Sequence, residues 1–451
     1  MSTAPGERLS AARLVAYSAP SFATSVAALP MVLFVPAFYS DDLGVPLAAV
    51  GGAIAVSRLL DVVTDPLIGG LSDRLRTPLG RRKPWMALGL PIFLLSLWKI
   101  FVPGDEVSST YLLGWSAALY LGFTLIDLPH KAWGAELSTD YDERSRIASW
   151  REAIATLGQV LLLAALVVLS FQGIDDAALQ LHNIAIAMGV ALPVLMLACL
   201  TFVGEREPEV VRIEERGLAA GLVLVARNPA FVRMVACVLL FVSGIAIQGT
   251  LHRLVLADVM LDEARFPLMA LLENVATLLA VPVWLRVSVR FGKPQALMGA
   301  ALWLAAFSVP LAFLREGDTW VLIALVVLRG SSFASILFLA NSIAADVIDV
   351  DTLESGEQRS GLFFAVWGMV IKLSLALGVV LGTALPAAGG YDPSAEVVPG
   401  EIQTRLMAIY GIVPAVLMGV GALCLRGFPI TRERHAEVRA RIDEEAAALD
   451  A

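Results

Sequence analysis

The chain has 451 residues, of which 58% are hydrophobic and only 16% charged, with a mean hydropathy of +0.76. A soluble globular protein carries about 25% charged residues, so this composition excludes one and points to an all-α integral membrane protein. The formal net charge of −8 says less than where the charges sit. Residues 1–10 are polar, and the apolar run that follows outlasts a signal peptide, so it reads as an uncleaved first span.

A membrane-crossing helix needs about 20 apolar residues. Such runs lie near 12–38, 46–71, 84–102, 109–131, 150–171 and 182–203, then near 230–250, 266–287, 293–314, 319–345, 360–385 and 402–425. The expected organisation is therefore an N-terminal six-helix bundle over 1–203, a charged cytoplasmic connector over 204–229, a C-terminal six-helix bundle over 230–425 and a cytoplasmic tail over 426–451. Of the 33 basic residues, only Lys99, Arg253, Arg265, Arg315 and Arg405 fall in outer loops or at outer span ends, and Arg58, Arg329 and Lys372 fall deep within spans. The rest lie on the opposite side, which places both termini in the cytoplasm and the chain in the plasma (inner) membrane. Gly80-Arg81-Arg82-Lys83-Pro84 after span two is echoed by Arg290-Phe291-Gly292-Lys293-Pro294 after span eight. Parallel repeats of six spans are the mark of the major facilitator architecture, which binds substrate near the midplane between its halves.

Span two carries Arg58, Asp61 and Asp65, spaced three and four residues apart and so on one helical face. Each ionisable group at membrane depth costs roughly 2.5 to 3.5 kcal/mol even on lenient scales, so three together imply a cavity and an occupant. Span four adds Thr124 and Asp127, followed by Pro129, which removes a backbone donor and can loosen the helix. Asp61, Thr64, Asp65, Thr124 and Asp127 offer an all-oxygen set for a hard cation, with sodium at Asp61 and Asp65 one occupant and a proton the other. The alternative for Asp61 and Asp65 is a structural ion pair with Arg58, and for Thr124 a hydroxyl bonded back to its own helix. Lys372, in span eleven, reads as a counter-ion to the aspartates that takes part in coupling together with Arg58.

Glu273 in span eight and Arg329 in span ten lie at comparable depth and are expected to pair, the alternative being an anionic substrate on Arg329. His130 reads as a solvated helix-end histidine, and Trp85, Trp98, Trp115, Trp133 and Trp150 as interfacial anchors. The loop residues Asp73, Arg74, Arg81, Arg82 and Lys83 read either as positive-inside anchoring or as a cytoplasmic gate, a charge clamp between Asp73 and helix termini. The stretch from Ile430 to Leu449 reads as a solvated amphipathic helix. Cys199, Cys237 and Cys424 stand apart with no metal-ligand spacing, and the four histidines are scattered.

Asp61-x-x-Thr64-Asp65-Pro66, Gly80-Arg81-Arg82-Lys83-Pro84-Trp85, Thr124-x-x-Asp127-x-Pro129, Ala345-Asp346-Val347-Ile348-Asp349 and Lys372 together resemble the glycoside–pentoside–hexuronide:cation symporter family of the major facilitator superfamily. The resemblance implies a sodium, lithium or proton site at the acids of span two and the threonine of span four. Thr64 stands where members of that family usually carry asparagine. It also implies a substrate site at Thr24, Ser25, Asp127, Lys131, Arg151 and Leu337. Thr24-Ser25 replaces a lysine–aspartate pair of the melibiose-permease-like members, and Lys131 and Leu337 each replace a tryptophan.

The expected function is cation-coupled symport of a sugar, glycoside, uronide or other small polar solute by alternating access. The alternative is transport of a lysophospholipid or other amphipathic solute, for which the small residues Thr24 to Ala28 offer a smooth lining. A non-transporting sensor is a third reading. No enzyme is expected, and no cofactor beyond a coupling ion; the partners are the small-molecule substrate and the lipid bilayer, with no nucleic acid. The sequence leaves the oligomeric state open, and a monomer is compatible with it.

Overall fold

The computed structural model describes residues 8–104, 107–172, 176–206, 228–355, 360–392 and 398–450. The side chain of Asp61 and residues 207–227 of the connector lie outside the described residues. The described chain is helical and carries no β-strand, only an isolated bridge between Thr77 and Gly80.

In chain order the helices are α1 (Ala11–Leu33), α2 (Leu47–Arg74), α3 (Lys83–Phe101), α4 (Ser109–Glu136), α5 (Tyr141–Phe171) and α6 (Ala177–Phe202). They continue with α7 (Pro229–Asp258), α8 (Phe266–Phe291), α9 (Lys293–Ser308), α10 (Thr319–Gly330), α11 (Phe333–Ser355), α12 (Ser360–Ala388), α13 (Gly400–Cys424) and α14 (Arg432–Asp450). Local chemistry sets several starts. The side chains of Ser10, Ser108 and Asp176 accept the backbone N–H three residues on, and Asn228 caps α7 ahead of Pro229 at the first helical position.

Eleven helical segments among the described residues are long and apolar enough to cross a membrane. One of them, Thr319–Leu353, contains both α10 and α11 and is interrupted at Ser331-Ser332. The acidic helix α2 comes in addition; its 28 residues extend roughly 40 Å at the α-helical rise. Val190, Val194 and Leu197 form a stripe on α6 and are each more than half exposed, Val190 by 65%. Such an outward apolar stripe suits lipid rather than water. The protein is an integral, multi-pass membrane protein.

Packing divides the chain into two compact units. The first comprises Met1–Val225, Ile348–Met369 and Ala436–Ala451, and the second Ala226–Val347 and Val370–His435. In the first, α1 packs on α5 and α6, while α4 packs on α2 and α3. Gly89 and Gly122 bring α3 and α4 together: a Cβ at Gly122 would stand 2.7 Å from the Phe93 backbone nitrogen. Small residues at such crossings let membrane helices meet backbone to backbone. In the second unit, α13 packs on α7 and α9, and α8 on α10.

Candidate functional site

On α2, Asp65 is 2% exposed and its Oδ1 accepts the Thr124 hydroxyl of α4 at 2.8 Å. Thr124 therefore turns its hydroxyl across to a neighbouring helix. Thr64 Oγ1 is buried and has no hydrogen-bond partner among the described residues. A buried polar atom left unsatisfied costs about 1 to 3 kcal/mol and marks a place where a water or ion binds. Gly368 of α12 faces the same carboxylate: a Cβ there would lie 3.6 Å from Asp65 Oδ2. Arg58 reaches across to α4. It is exposed, and its Nε donates to Tyr120 Oη at 3.1 Å with the guanidinium 5.6 Å from the ring centroid.

Asp127 lies one turn beyond Thr124 on α4 and pairs with cations. Its Oδ2 is 2.5 Å from Lys131 Nζ, and its Oδ1 is 3.8 Å from Arg151 of α5. Arg151 also lies 3.9 Å from Glu152. Asp127 and Lys131 keep about a fifth of their side-chain surface accessible, whereas Arg151 is buried. Three of the expected substrate residues, Asp127, Lys131 and Arg151, are therefore brought together. Thr24 and Ser25 present no free hydroxyl proton. Thr24 donates back to Pro20 and Ser21 carbonyls, and Ser25 donates to Phe22 and to Ala155 on α5 at 2.7 Å. Leu337, partly buried on α11, and Lys372, partly buried on α12, belong to the second unit.

The loop between α2 and α3 is organised around Arg82, whose side chain is wholly buried. Its guanidinium donates to Asp73 at 2.7 Å, Glu136 at 2.6 Å, Ser72 at 2.8 Å and Ser360 at 2.8 Å. Burial works against the charge, but the Glu136 and Asp73 carboxylates outweigh it and hold the Arg82 pKa above the ordinary arginine value. Arg81 reaches Glu136 at 2.8 Å, and Ser360 donates to the same carboxylate. Two carboxylates also cap helices. Asp73 accepts Gly361 and Leu362 N–H at the start of α12, and Glu205 accepts Arg81, Arg82 and Lys83 N–H at the start of α3. Anionic groups at helix N-termini satisfy orphan donors and complement the dipole. Lys83 lies over Trp133 at 5.4 Å, and Arg74 is exposed.

A profile of the MFS/sugar transport protein family matches residues 16–432. The chain belongs to this family. It is thus a membrane transporter, not an enzyme. It is 23% identical to the glucuronide carrier protein homolog of Escherichia coli (strain K12), with 97% of this chain and 96% of that one covered. It is also 23% identical to the sodium-dependent lysophosphatidylcholine symporter 1 of Homo sapiens, covering 85% of this chain and 76% of that one. Among solved structures, the E. coli fucose:proton symporter shares the major facilitator fold at a TM-score of 0.66 and 15% identity, over 93% of this chain and 98% of that one.

Several features of this MFS/sugar transport family member differ from expectation. His130 is buried, with Nε2 2.7 Å from the Tyr17 carbonyl oxygen, because α4 runs on through Pro129 to Glu136 and carries it inside the first unit. Trp133 is fully buried beneath Lys83 and donates to Gly204, so it is a core residue rather than an interfacial anchor. The tail helix α14 is docked: His435, Val438 and Ile442 are buried, and Arg439 lies 3.8 Å from Asp349, which also receives Arg144 at 2.7 Å. Sequence reading missed Glu136, Glu205 and Ser360. The expected Glu273–Arg329 pair is present at 2.5 Å.

Proposed function

We propose that this transporter couples the entry of a sodium ion or proton to uptake of a small solute bearing hydroxyl and acidic groups, such as a glycoside or uronide. The observation that carries the reading is the oxygen-bearing stretch on α2 and α4: the Asp65 carboxylate bonded to Thr124, and next to it in sequence the buried Thr64 hydroxyl, which has no partner among the described residues. Hard cations prefer such oxygen donors. A carboxylate in a dry site is costly alone and stabilised by a bound cation or proton, so occupancy favours the closed, water-excluded arrangement. Asp61, four residues before Asp65 in the sequence, is the second carboxylate proposed for this cation.

The solute binds at Asp127, Lys131 and Arg151 in the first unit, with Thr24 and Ser25 on the neighbouring α1. Asp127 accepts hydroxyl protons, while Lys131 and Arg151 meet an acidic group. The pairing of two cations on one carboxylate also favours a second reading, a phosphate-bearing amphipathic solute. The inward-turned Thr24 and Ser25 hydroxyls leave apolar edges for its chain. The clamp of Asp73, Arg81, Arg82 and Lys83 acts as the cytoplasmic gate. The distribution of basic residues supports an orientation with both termini cytoplasmic, and the plasma (inner) membrane is the proposed location.

The test is uptake by proteoliposomes under imposed sodium or proton gradients, using a glycoside, a uronide and a lysophospholipid as solutes. Accumulation of a polar solute driven by one cation supports the leading reading. Accumulation of the lysophospholipid alone would replace it with the second, and solute movement indifferent to both gradients would overturn the coupling.

A further inference from the structure

The second unit holds a polar cluster that the reading above does not use. Gln248 and His252 stand one turn apart on α7, Glu273 comes from α8, Arg329 from the end of α10 and Tyr410 from α13. None of the five is more than 8% exposed. Buried ionisable groups within membrane spans are costly to keep, and their presence in one cluster calls for a use.

Donor and acceptor accounting fixes the protonation of the cluster. Arg329 has only donors. One of its terminal nitrogens donates to Gln248 Oε1, while the other donates to Glu273 Oε1 at 2.5 Å and lies 3.0 Å from His252 Nε2. Facing a guanidinium, Nε2 must accept, so His252 is neutral and carries its proton on Nδ1, 2.6 Å from Tyr410 Oη. The Gln248 amide nitrogen donates to Ser308 Oγ and the Tyr410 carbonyl oxygen, which holds its oxygen toward Arg329. Glu273 Oε2 lies 3.9 Å from His252 Nε2, and the Arg329 Nε is buried with no partner among the described residues. Nε2 therefore stands between a donor it now accepts from and a carboxylate it could donate to.

We propose that His252 and Glu273 form a proton-binding site within the second unit, separate from the oxygen-lined site on α2 and α4. One proton from water adds to the Nε2 lone pair, no covalent bond between heavy atoms breaks, and the cluster passes from neutral to a single positive charge. The new N–H cannot face the Arg329 N–H groups, so it turns to Glu273 Oε2 and Arg329 withdraws. Arg329 sits at the edge of the Ser331-Ser332 interruption between α10 and α11. Thr277 holds the Gly330 carbonyl there at 2.7 Å, Trp284 the Ser331 carbonyl at 3.0 Å, and Trp303 the Leu328 carbonyl at 2.7 Å. Displacing the guanidinium thus acts on a break whose carbonyls are already held by side chains. The extra charge is costly when the cluster is dry and tolerable when water reaches it, so proton affinity follows the hydration state of the unit.

The site is tested on the full chain in lipid nanodiscs by nitrogen-15 histidine NMR, with the His252 signal assigned by its loss in His252→Gln. The expected result is an Nδ1–H tautomer at high pH that converts to imidazolium on acidification. Glu273→Gln should lower the midpoint and Arg329→Gln raise it, each by about one pH unit, as removal of an opposite or like charge demands. An Nε2–H tautomer, or a His252 that stays neutral down to the pH of unfolding, would overturn the proposal. The wild-type tautomer alone decides this if either variant fails to fold. In proteoliposomes, His252→Gln should flatten the pH profile of uptake and leave its sodium dependence in place; an unchanged pH profile counts against the site.

Discussion

Asp73 and Arg82 are joined by a buried ion pair in which each residue also does a second task. Asp73 Oδ1 accepts from Arg82 at 2.7 Å and from Gly361 N–H at 2.8 Å, while Oδ2 accepts Leu362 N–H at 2.9 Å. Arg82, in turn, neutralises Glu136. Where these contacts form, α2 and α12 meet through Gly69 and Gly361: a Cβ at Gly69 would stand 2.6 Å from the Gly361 carbonyl oxygen. Two opposed carboxylates, one guanidinium and one helix N-terminus make a contact that is complete or broken, with little between.

Arg82→Gln should therefore destabilise the protein by about 3 to 5 kcal/mol, the cost of removing the buried guanidinium that Asp73 and Glu136 share. Arg81→Gln should cost less, because Arg81 contributes one contact to a carboxylate that keeps Arg82. Arg82→Lys should fail to rescue, since an ammonium cannot span Ser72, Asp73, Glu136 and Ser360 as a planar fork does. Thermal unfolding of the purified variants orders them. The raised folded-state pKa of Arg82 contributes stability at all lower pH and loses it only as pH rises through that value. Its contribution should thus be flat across the neutral range. A wild-type-like Arg82→Gln melting curve would remove the clamp from the account.

Much of this arrangement is legible in the sequence, and what is not has a physical reason. Arg58, Asp61 and Asp65 announce themselves as candidates because charges three and four apart in an apolar run share one helical face. Glu273 and Arg329 announce themselves because each is a lone charge at membrane depth. Glu136 and Ser360 do not, since they are brought to Arg82 across 54 and 278 positions, and no local period encodes that. Gln248, His252 and Tyr410 are single polar residues in apolar helices, and only the folded unit shows that they converge. His130 and Trp133 are misread for a common reason: Pro129 suggests a helix end, yet α4 continues seven residues past it to Glu136.

Lys131 should set solute charge preference. Lys131→Gln frees the Asp127 carboxylate from its 2.5 Å partner and removes a cation from the proposed site. Affinity for an acidic solute should fall about tenfold, the effect of losing one partly solvated charge contact of near 1.4 kcal/mol. Affinity for a neutral glycoside should hold or rise. Competition binding with uronide and glycoside measures both, and equal losses for the two would show that Lys131 only positions Asp127.

Orientation is open to cysteine labelling in intact cells. Cys199 and Cys237 are buried and Cys424 is partly buried, so replacing Cys424 by serine gives a quiet background. Single cysteines at the exposed positions Gly104 and Glu316 should react with an impermeant maleimide, whereas those at Arg76 and Arg434 should need permeabilised cells. The reverse pattern would invert the assignment drawn from the basic residues.

Thr64 and Asp65 separate cation binding from folding. Because Thr64 Oγ1 bonds to no described residue, Thr64→Val removes no hydrogen bond among them and should leave thermal stability within about 0.5 kcal/mol or raise it. If the hydroxyl ligates the cation, the same variant should weaken sodium or proton dependence of uptake about tenfold, the loss of one oxygen contact of near 1.4 kcal/mol. Asp65→Asn should be more severe: it removes the negative charge that a cation neutralises while an amide oxygen can still accept from Thr124. Uptake should then proceed only down the solute gradient. Accumulation by Asp65→Asn against that gradient, with unaltered cation dependence, would move the coupling site away from α2.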